Sequence, residues 1–206
     1  MAMDEALLET APQCGHAVLR FYSWTEPAAT FGYSQKFADA AAMTRLRPLV
    51  RRPTGGGLVP HDADWTYSLV FPPQHPWYHF KAVESYRRVH EWIRDAFAGL
   101  SVPTTLAPES QIEIPGQCFV GAEKFDLLWH GRKIAGAAQR RTRAGLLIQG
   151  SVQPPPISLE RTAWESAMRA ALEVEWKPLP PDSLPTELAR RLAETKFAQA
   201  GFNEKR

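Results

Sequence analysis

The stretch RRPTGGGLVPHDADWTYSLV occupies residues 51–70, where three consecutive glycines separate two arginines from a run typical of a β-strand. The run WTYSLVF at 65–71 is rich in β-branched and aromatic residues, which favour strands. Because glycine lacks a Cβ, the backbone N–H groups of Gly55, Gly56 and Gly57 can approach an anion or a carbonyl closely. A plain turn or a linker would use the same residues. The stretch therefore predicts a strand that follows either a turn or a ligand-binding loop.

Known phosphate-binding patterns do not account for these glycines. The order GxxxxGK[ST] of a P-loop is absent, and GGGLVP does not match the dinucleotide fingerprint GxGxxG. Arg51 and Arg52 directly precede the glycines and could hold a carboxylate or a phosphate through their planar forks of donors. Residues 51–57 are thus a candidate anion site as well as a candidate turn.

Composition excludes several classes of protein. The chain has 206 residues, of which 44% are hydrophobic and 22% are charged, as in an ordinary globular protein. The formal net charge of +2 gives no reason to expect a nucleic-acid partner, and no apolar run approaches the roughly 20 residues that span a bilayer. Two distant cysteines, Cys14 and Cys118, predict neither a disulfide framework nor a zinc site. Residues 1–13 resemble no signal or transit peptide, so we expect a cytoplasmic protein.

Hydrophobic spacing predicts an α+β (mixed α/β) fold with a central mixed β-sheet flanked by helices. The firmest helix prediction covers residues 82–100, where apolar residues recur at spacings of three and four. The residues of this stripe are Val83, Tyr86, Val89, Ile93, Phe97 and Leu100. Other helices are predicted at 4–10, 159–173 and 185–200. Strands are predicted at 16–24 and 65–71, and a meander of strands at 124–152.

Three reactive side chains outside the glycines are candidates for chemistry. Lys133 begins a predicted strand of small residues, where its ammonium could stabilise negative charge on a carbonyl oxygen, although a surface lysine after a tight turn fits this stretch better. Cys118, in PGQCFVGAEKF, could be a nucleophile near cationic side chains or simply a small buried apolar residue. His61 could act as a base, but nothing local identifies its partner. No GxSxG elbow indicates a serine triad.

A basic segment, residues 132–143, contains cationic side chains and no acid. The cationic residues are Arg132, Lys133, Arg140, Arg141 and Arg143. A solvated hairpin would have this composition, and so would a docking face for an acidic partner, where charge accelerates encounter.

Six segments in order resemble the lipoate–protein ligase and octanoyltransferase family, whose fold is shared with biotin–protein ligases. These segments are DEALLE (4–9), RFYSW (20–24), FGYSQ (31–35), RRPTGGGLVPHDADWTYSLV (51–70), GRKIAGAAQRR (131–141) and KFAQAGFNEKR (196–206). The resemblance implies a biotin/lipoate protein ligase-like catalytic domain. We expect one such domain over 1–206, without the accessory C-terminal domain of the large ligases.

The resemblance implies delivery of an octanoyl or lipoyl group to a lysine of a lipoyl carrier domain. ATP-dependent ligases of the family form a lipoyl-adenylate and would need ATP and Mg. Transferases take octanoate from acyl carrier protein through a cysteine thioester and need no cofactor. Cys118-Phe119, followed by Phe125-Asp126, is similar to the cysteine-dependent octanoyltransferases. The resemblance therefore favours transfer through Cys118, and the alternatives are an ATP-dependent ligase and a non-catalytic carrier-binding paralogue.

The same resemblance implies a site, in which Cys118 and Lys133 are catalytic and no metal is bound. The implied substrate-binding residues are Arg52, Thr54, Gly55, Gly56, Gly57, His61, Gly136 and Ala137. Leu69 and Phe71 would form the floor of an apolar tunnel for the alkyl tail. The basic segment would meet acidic acyl carrier protein and lipoyl domains. Gln149 stands where the family has a histidine, which leaves open what that imidazole contributes.

Overall fold

The computed structural model describes residues 1–112, 116 and 118–204. Four residues that belong to the sequence motifs lie outside this part of the chain: Pro115, Gln117, Lys205 and Arg206. Within it, an antiparallel sheet is flanked by helices, which confirms the α+β prediction.

The strands of the described residues form one large sheet and two small ones. In chain order they are β1 Val18–Tyr22, β2 Ala28–Phe31, β3 Leu49–Arg51, β4 Val59–His61, β5 Trp65–Phe71, β6 Thr105–Leu106, β7 Gln111–Ile112, β8 Gly121–Ala122, β9 Leu127–Trp129, β10 Arg132–Thr142 and β11 Gly145–Val152. The large sheet has the order β1-β5-β11-β10-β9-β6, and each neighbouring pair is antiparallel. The parallel pairing expected in the central sheet occurs instead between β2 and β3, in the sheet β3-β2-β4.

Helices cover the large sheet and extend to the end of the described chain. They are α1 Ala2–Glu9, α2 Ala11–Cys14, α3 Phe37–Met43, α4 Pro76–His79, α5 Ala82–Gly99, α6 Arg161–Ala170, α7 Thr186–Leu192 and α8 Ala200–Asn203. The predicted continuous helix at 185–200 was wrong, because a π-helical turn at Ala193–Phe197 interrupts it. This turn buries Phe197 and brings Lys196 Nζ within 2.6 Å of the Glu5 carboxylate, a tertiary contact that local periodicity does not encode.

Helix α5 confirms the firmest helix prediction and packs into the main core. Val89, Ile93 and Phe97 are buried, as their spacing predicts. Val83 was wrongly assigned to the buried stripe, since it is 62% exposed and borders a cavity at the first turn of the helix. His90 is fully buried on the same helix.

Gly150 of β11 lies directly opposite Tyr67 of β5, and a Cβ there would be 2.1 Å from Tyr67 Cζ. We predict that Gly150→Ala lowers the free energy of unfolding by about 3 kcal/mol, the upper end of usual overpacking costs, because both strands are central in the sheet. Urea unfolding measures this change. The control is Gly99→Ala, where a Cβ meets nothing within 4 Å. The control should be neutral or stabilising, and equal midpoints for the two variants would contradict the close packing.

Burial lowers the pKa of His90 to about 3, and the nearby charge of Lys133 adds to this lowering. The unfolded chain therefore binds a proton at His90 below its usual pKa of 6.5, which the folded protein does not bind until about pH 3. Stability consequently falls as the pH is lowered through this window, by at most about 1.4 kcal/mol per pH unit from this group. We predict that His90→Leu flattens the dependence of the unfolding free energy on pH between 6.5 and the carboxylate range.

Urea unfolding at a series of pH values provides this measurement. The exposed His16 gives the matched control, and His16→Gln should keep the slope of the parent protein. An unchanged slope in His90→Leu would show that the buried imidazole is not held in its neutral form.

Candidate active site

The glycine loop, residues 54–57, lies between β3 and β4 and is fixed by the two arginines before it. Arg51 is buried behind the loop, where its guanidinium donates to the backbone carbonyls of Tyr33, Gln35, Phe202 and Asn203. Arg52 is also buried and donates to the carbonyls of Gly55 and Gly57, each at 2.8 Å. From the sequence, both arginines were candidate anion ligands. In the structure, Arg51 instead holds backbone carbonyls of other segments, and Arg52 lines a cavity.

The glycines allow a close approach between backbones. A Cβ at Gly32, the glycine of FGYSQ, would lie 1.8 Å from the carbonyl oxygen of Gly56. Gly56 itself has φ of 86°, in the left-handed region that glycine occupies without strain. The triplet therefore forms a fixed loop with backbone contacts and not a flexible linker.

The cysteine segment, residues 116 and 118–120, lies across the glycine loop. The N–H of Leu58 donates to the carbonyl of Gly116 at 2.7 Å, and the N–H of Cys118 donates to the carbonyl of Leu58 at 3.0 Å. The N–H of Gly57 donates to Cys118 Sγ, with a nitrogen–sulfur distance of 3.0 Å. This partly exposed thiol is therefore placed on the backbone of the glycine loop.

Arg52 supplies positive charge beside the sulfur. Burial lowers the pKa of its guanidinium, and the interaction with Cys118, which includes a hydrogen bond, opposes this lowering most strongly. The N–H of Gly57 and the guanidinium of Arg52 are both placed where they would interact favourably with a thiolate. The thiolate is the nucleophilic form of cysteine, so this environment suits a nucleophile.

Lys133 is buried in an ion pair with Asp126. Nζ lies 2.7 Å from Asp126 Oδ2, and the two side chains are 6% and 2% exposed. Gly136 makes room for the pair, because a Cβ there would lie 2.9 Å from Lys133 Cε. Burial raises the pKa of Asp126, and the charge of Lys133 opposes that rise. The surface position that the stretch around Lys133 favoured is therefore wrong.

The basic segment is less exposed than its composition suggested. Arg132, Arg141 and Arg143 face solvent, whereas Lys133 is buried. Arg140 lies 4.0 Å from Glu5, which partly balances its charge. Three cations of the segment, at the two ends of β10, are thus exposed.

Cys118 and Lys133 line the same cavity, which has a volume of about 650 Å³. Most of the implied substrate-binding residues line it too: Arg52, Gly56, Gly57, His61, Gly136 and Ala137. Thr54 and Gly55 are not part of the lining. Thr54 is fully buried and donates to Gln149 Oε1 at 2.8 Å.

The apolar wall of the cavity differs from the predicted one. Leu69 and Phe71, the expected floor of the tunnel, are buried in the main core and do not line the cavity, so this prediction was wrong. Apolar side chains of the lining come from β4, α5, β8, β10 and the cysteine segment. They include Val59, Phe119, Val120, Ala122 and Ala138.

Several residues of the site were not assigned from the sequence. The sequence motif contained Asp126, in the pair Phe125-Asp126, but did not show that Asp126 forms an ion pair with Lys133. Tyr86 of α5 lines the cavity and donates to the carbonyl of Ala137, and no local pattern marks it as polar lining. Gln149 also lines the cavity.

Clusters of metal-ligating residues and membrane-spanning helices are both absent from the part of the chain that the structure describes. No group of three His, Cys, Asp or Glu residues there is arranged to hold a metal ion. None of the helices formed by these residues is long and apolar enough to cross a bilayer. Cys14 and Cys118 are both free thiols.

Bacterial proteins named octanoyltransferase LipM are similar in sequence. The Macrococcus caseolyticus protein is 34% identical over 165 residues, which cover 74% of this chain and 60% of that protein. The Carboxydothermus hydrogenoformans protein is 35% identical over 158 residues, with 74% and 59% covered. The chain thus spans about three fifths of the length of the curated relatives it matches.

Solved structures share the fold at lower sequence identity. Lipoate-protein ligase A bound with ATP superposes with a TM-score of 0.79 at 19% identity, covering 98% of this chain and 92% of that one. The bipartite lipoate protein ligase of Thermoplasma acidophilum, solved with its lipoyl domain, gives 0.75 at 18% identity, with 98% and 89% covered. The family model described as the lipoyl protein ligase A/B catalytic domain matches residues 1–154, and the chain belongs to this family.

Proposed function

We propose that the protein is an acyltransferase that moves an octanoyl or lipoyl group onto a lysine of a lipoyl carrier domain through a thioester on Cys118. One observation carries this proposal: the thiol of Cys118, beside Gly57 N–H and Arg52, opens onto the same cavity as the buried ammonium of Lys133. The similarity to octanoyltransferases LipM supports it. This reaction needs no cofactor.

In the first step, the Cys118 thiolate attacks the carbonyl carbon of an octanoyl thioester on an acidic acyl carrier protein. A carbon–sulfur bond forms to Cys118, and the bond to the carrier sulfur breaks. The proton that Cys118 gave up is taken by the departing carrier thiolate. Lys133 stabilises the negative charge that develops on the carbonyl oxygen, which is the task of a preorganised cation in such a site.

In the second step, the neutral amine of a carrier lysine attacks the acyl-enzyme. An amide bond forms, the bond to Cys118 breaks, and the proton of the amine returns to the sulfur. The alkyl tail occupies the apolar part of the cavity, where each buried methylene contributes about 0.8 kcal/mol. The cavity therefore favours a medium-length chain over a short one.

Exposed cations support an acidic partner. Arg132 directly precedes Lys133 on β10, whereas Arg141 lies near the other end of this strand and Arg143 in the turn after it, so an acidic carrier could contact exposed cations at either end of β10. Charges of this kind mainly raise the rate of encounter.

We predict that Cys118→Ala abolishes octanoyl transfer from octanoyl-acyl carrier protein to a lipoyl domain, with a loss of about 1000-fold or more, because the acyl group then has no nucleophile. Intact-mass spectrometry of the parent protein with this donor should show one octanoyl adduct, assigned to Cys118 by peptide mapping. Cys14→Ala serves as the control and should keep both the adduct and the transfer rate.

The outcome against this proposal is equally specific. If Cys118→Ala transfers at the parental rate, and if pyrophosphate release depends on lipoate and ATP together, the protein is a ligase. Tight binding of a lipoyl domain without transfer from either donor would indicate a non-catalytic paralogue.

We predict strong energetic coupling between Lys133 and Asp126. Lys133→Met or Asp126→Asn alone leaves a buried group without its counter-charge, which costs about 3–5 kcal/mol. The double variant should lose clearly less than the sum of the single losses, as measured by urea unfolding. The exposed pair Arg190–Glu187 is the control, and its double-mutant cycle should show little coupling. Additive losses at Lys133 and Asp126 would contradict the buried pair.

A further inference from the structure

A chain of buried polar side chains lies behind Arg52. Arg52 Nη1 donates to Thr30 Oγ1 at 2.9 Å, and the same oxygen lies 2.8 Å from His61 Nε2. The other ring nitrogen, His61 Nδ1, lies 2.8 Å from Asp64 Oδ2. These contacts connect the guanidinium beside Cys118 to a carboxylate three hydrogen bonds away.

With Asp64 ionised and the imidazole of His61 neutral, every hydrogen bond in this chain has one direction. The carboxylate of Asp64 only accepts, so His61 Nδ1 carries the hydrogen and donates it. His61 Nε2 is then an acceptor, and it takes the hydroxyl hydrogen of Thr30. Thr30 Oγ1 in turn accepts from Arg52, which has donors only. Both ring nitrogens of His61 are thus engaged, and the role of a base considered for His61 is unnecessary.

The side chains of this hydrogen-bond chain are almost completely buried, although Thr30 and His61 border the cavity. Thr30 is fully buried, and the side chains of His61 and Asp64 are 4% and 1% exposed. The ring of Trp24 stacks on His61 with a centroid distance of 4.3 Å. Between buried groups, linked hydrogen bonds strengthen one another, and a missing partner is costly.

Asp64 is itself fixed by further donors. Its Oδ2 accepts from Thr66 Oγ1 at 3.0 Å and from Ser151 Oγ at 2.7 Å, so two strands of the large sheet hold it. The large sheet therefore fixes the position of the carboxylate at which this chain of hydrogen bonds begins. Arg52 Nη2 donates to the carbonyls of Gly55 and Gly57, so a turn of the guanidinium would also move the N–H that reaches the sulfur.

We propose that Thr30, His61 and Asp64 are positioning residues that hold Arg52 against the glycine loop and the sulfur of Cys118. They act through Arg52, and the reactivity of the thiol depends on all the hydrogen bonds that connect Arg52 to Asp64. The inference deepens the proposed function, because it assumes that Cys118 is the group whose reactivity the site must raise.

The test measures the rate at which iodoacetamide alkylates Cys118 at one fixed pH, in a Cys14→Ser background that leaves a single thiol. Thr30→Val is nearly isosteric and removes only the hydroxyl, so it interrupts the chain at its centre. Alkylation should slow about tenfold, the effect of one lost hydrogen bond to a charged group, and Thr30→Ser should restore the rate. Iodoacetamide requires no acyl donor, so this readout remains valid even if the proposed transfer reaction is wrong.

Two further variants separate positioning from packing. Thr10→Val removes a hydroxyl that bonds to the backbone far from the site, and it should leave the alkylation rate unchanged. Asp64→Asn retains the shape of the side chain but removes the charge at the end of the chain, and it should also slow alkylation. In octanoyl transfer, Thr30→Val should lower kcat while KM for the acyl donor stays close to the parental value.

The inference is overturned if Thr30→Val is alkylated at the parental rate, or if Thr30→Ser is as slow as Thr30→Val, since packing alone would then explain the loss. If Thr30→Val does not fold, as seen by circular dichroism, Asp64→Asn decides instead. An unchanged alkylation rate in folded Asp64→Asn would equally contradict the proposal that these residues position Arg52.

Discussion

The candidate site depends on one backbone contact, between the glycine loop and the cysteine segment. Leu58 forms hydrogen bonds with Gly116 and Cys118, and the N–H of Gly57 meets the sulfur of a residue 61 positions later in the chain. A side chain at Gly32 would push the loop out of this position, because its Cβ would overlap the Gly56 carbonyl. The geometry of the candidate site thus rests on main chain, which has few conformations to lose once the loop is packed.

The buried cations Lys133 and Arg52 line the same cavity and would repel each other if nearby groups did not offset their charges. The groups that do so differ between the two residues. The carboxylate of Asp126, 2.7 Å away, fixes the ammonium of Lys133 and offsets its positive charge, so the pair has little net charge. Arg52 is surrounded by carbonyl oxygens, the hydroxyl of Thr30 and the sulfur of Cys118. Its charge is consequently free to act on the sulfur. This division of labour fits a reaction in which one cation stabilises the nucleophile and the other the substrate oxygen.

The sequence predicted those parts of the fold whose pattern is local. The stripe of α5 and the β-branched run of β5 identified their elements, because periodicity and propensity act within one segment. The position of the cavity could not be predicted in this way. β5 is buried along its entire length, so its residues give no alternation that would separate the face toward the core from a face toward a cavity. Leu69 and Phe71 were misplaced for that reason.

The resemblance to the family identified most of the residues that line the cavity. Their hydrogen-bond and ion-pair partners became visible only in the three-dimensional structure. Asp126 and Thr30 lie outside the elements that carry Lys133 and Arg52, and sequence spacing does not connect them. Asp64 lies only three residues after His61, but the direction of its carboxylate is not visible in the sequence. The motifs therefore identify which residues reach the cavity, but not which hydrogen bonds fix their orientation.

Gln149 illustrates how a departure from the family pattern can preserve a connection. Its Nε2 donates to Asp4 at 2.7 Å, and its Oε1 accepts from Thr54 at 2.8 Å, so one amide links α1 to the glycine loop. A neutral imidazole offers one donor and one acceptor as well, and it could bridge the same two partners. An amide differs in that it cannot take up a proton near neutral pH. The amide of Gln149 itself therefore carries no charge, and Asp4 forms an ion pair with Arg20, 2.7 Å away.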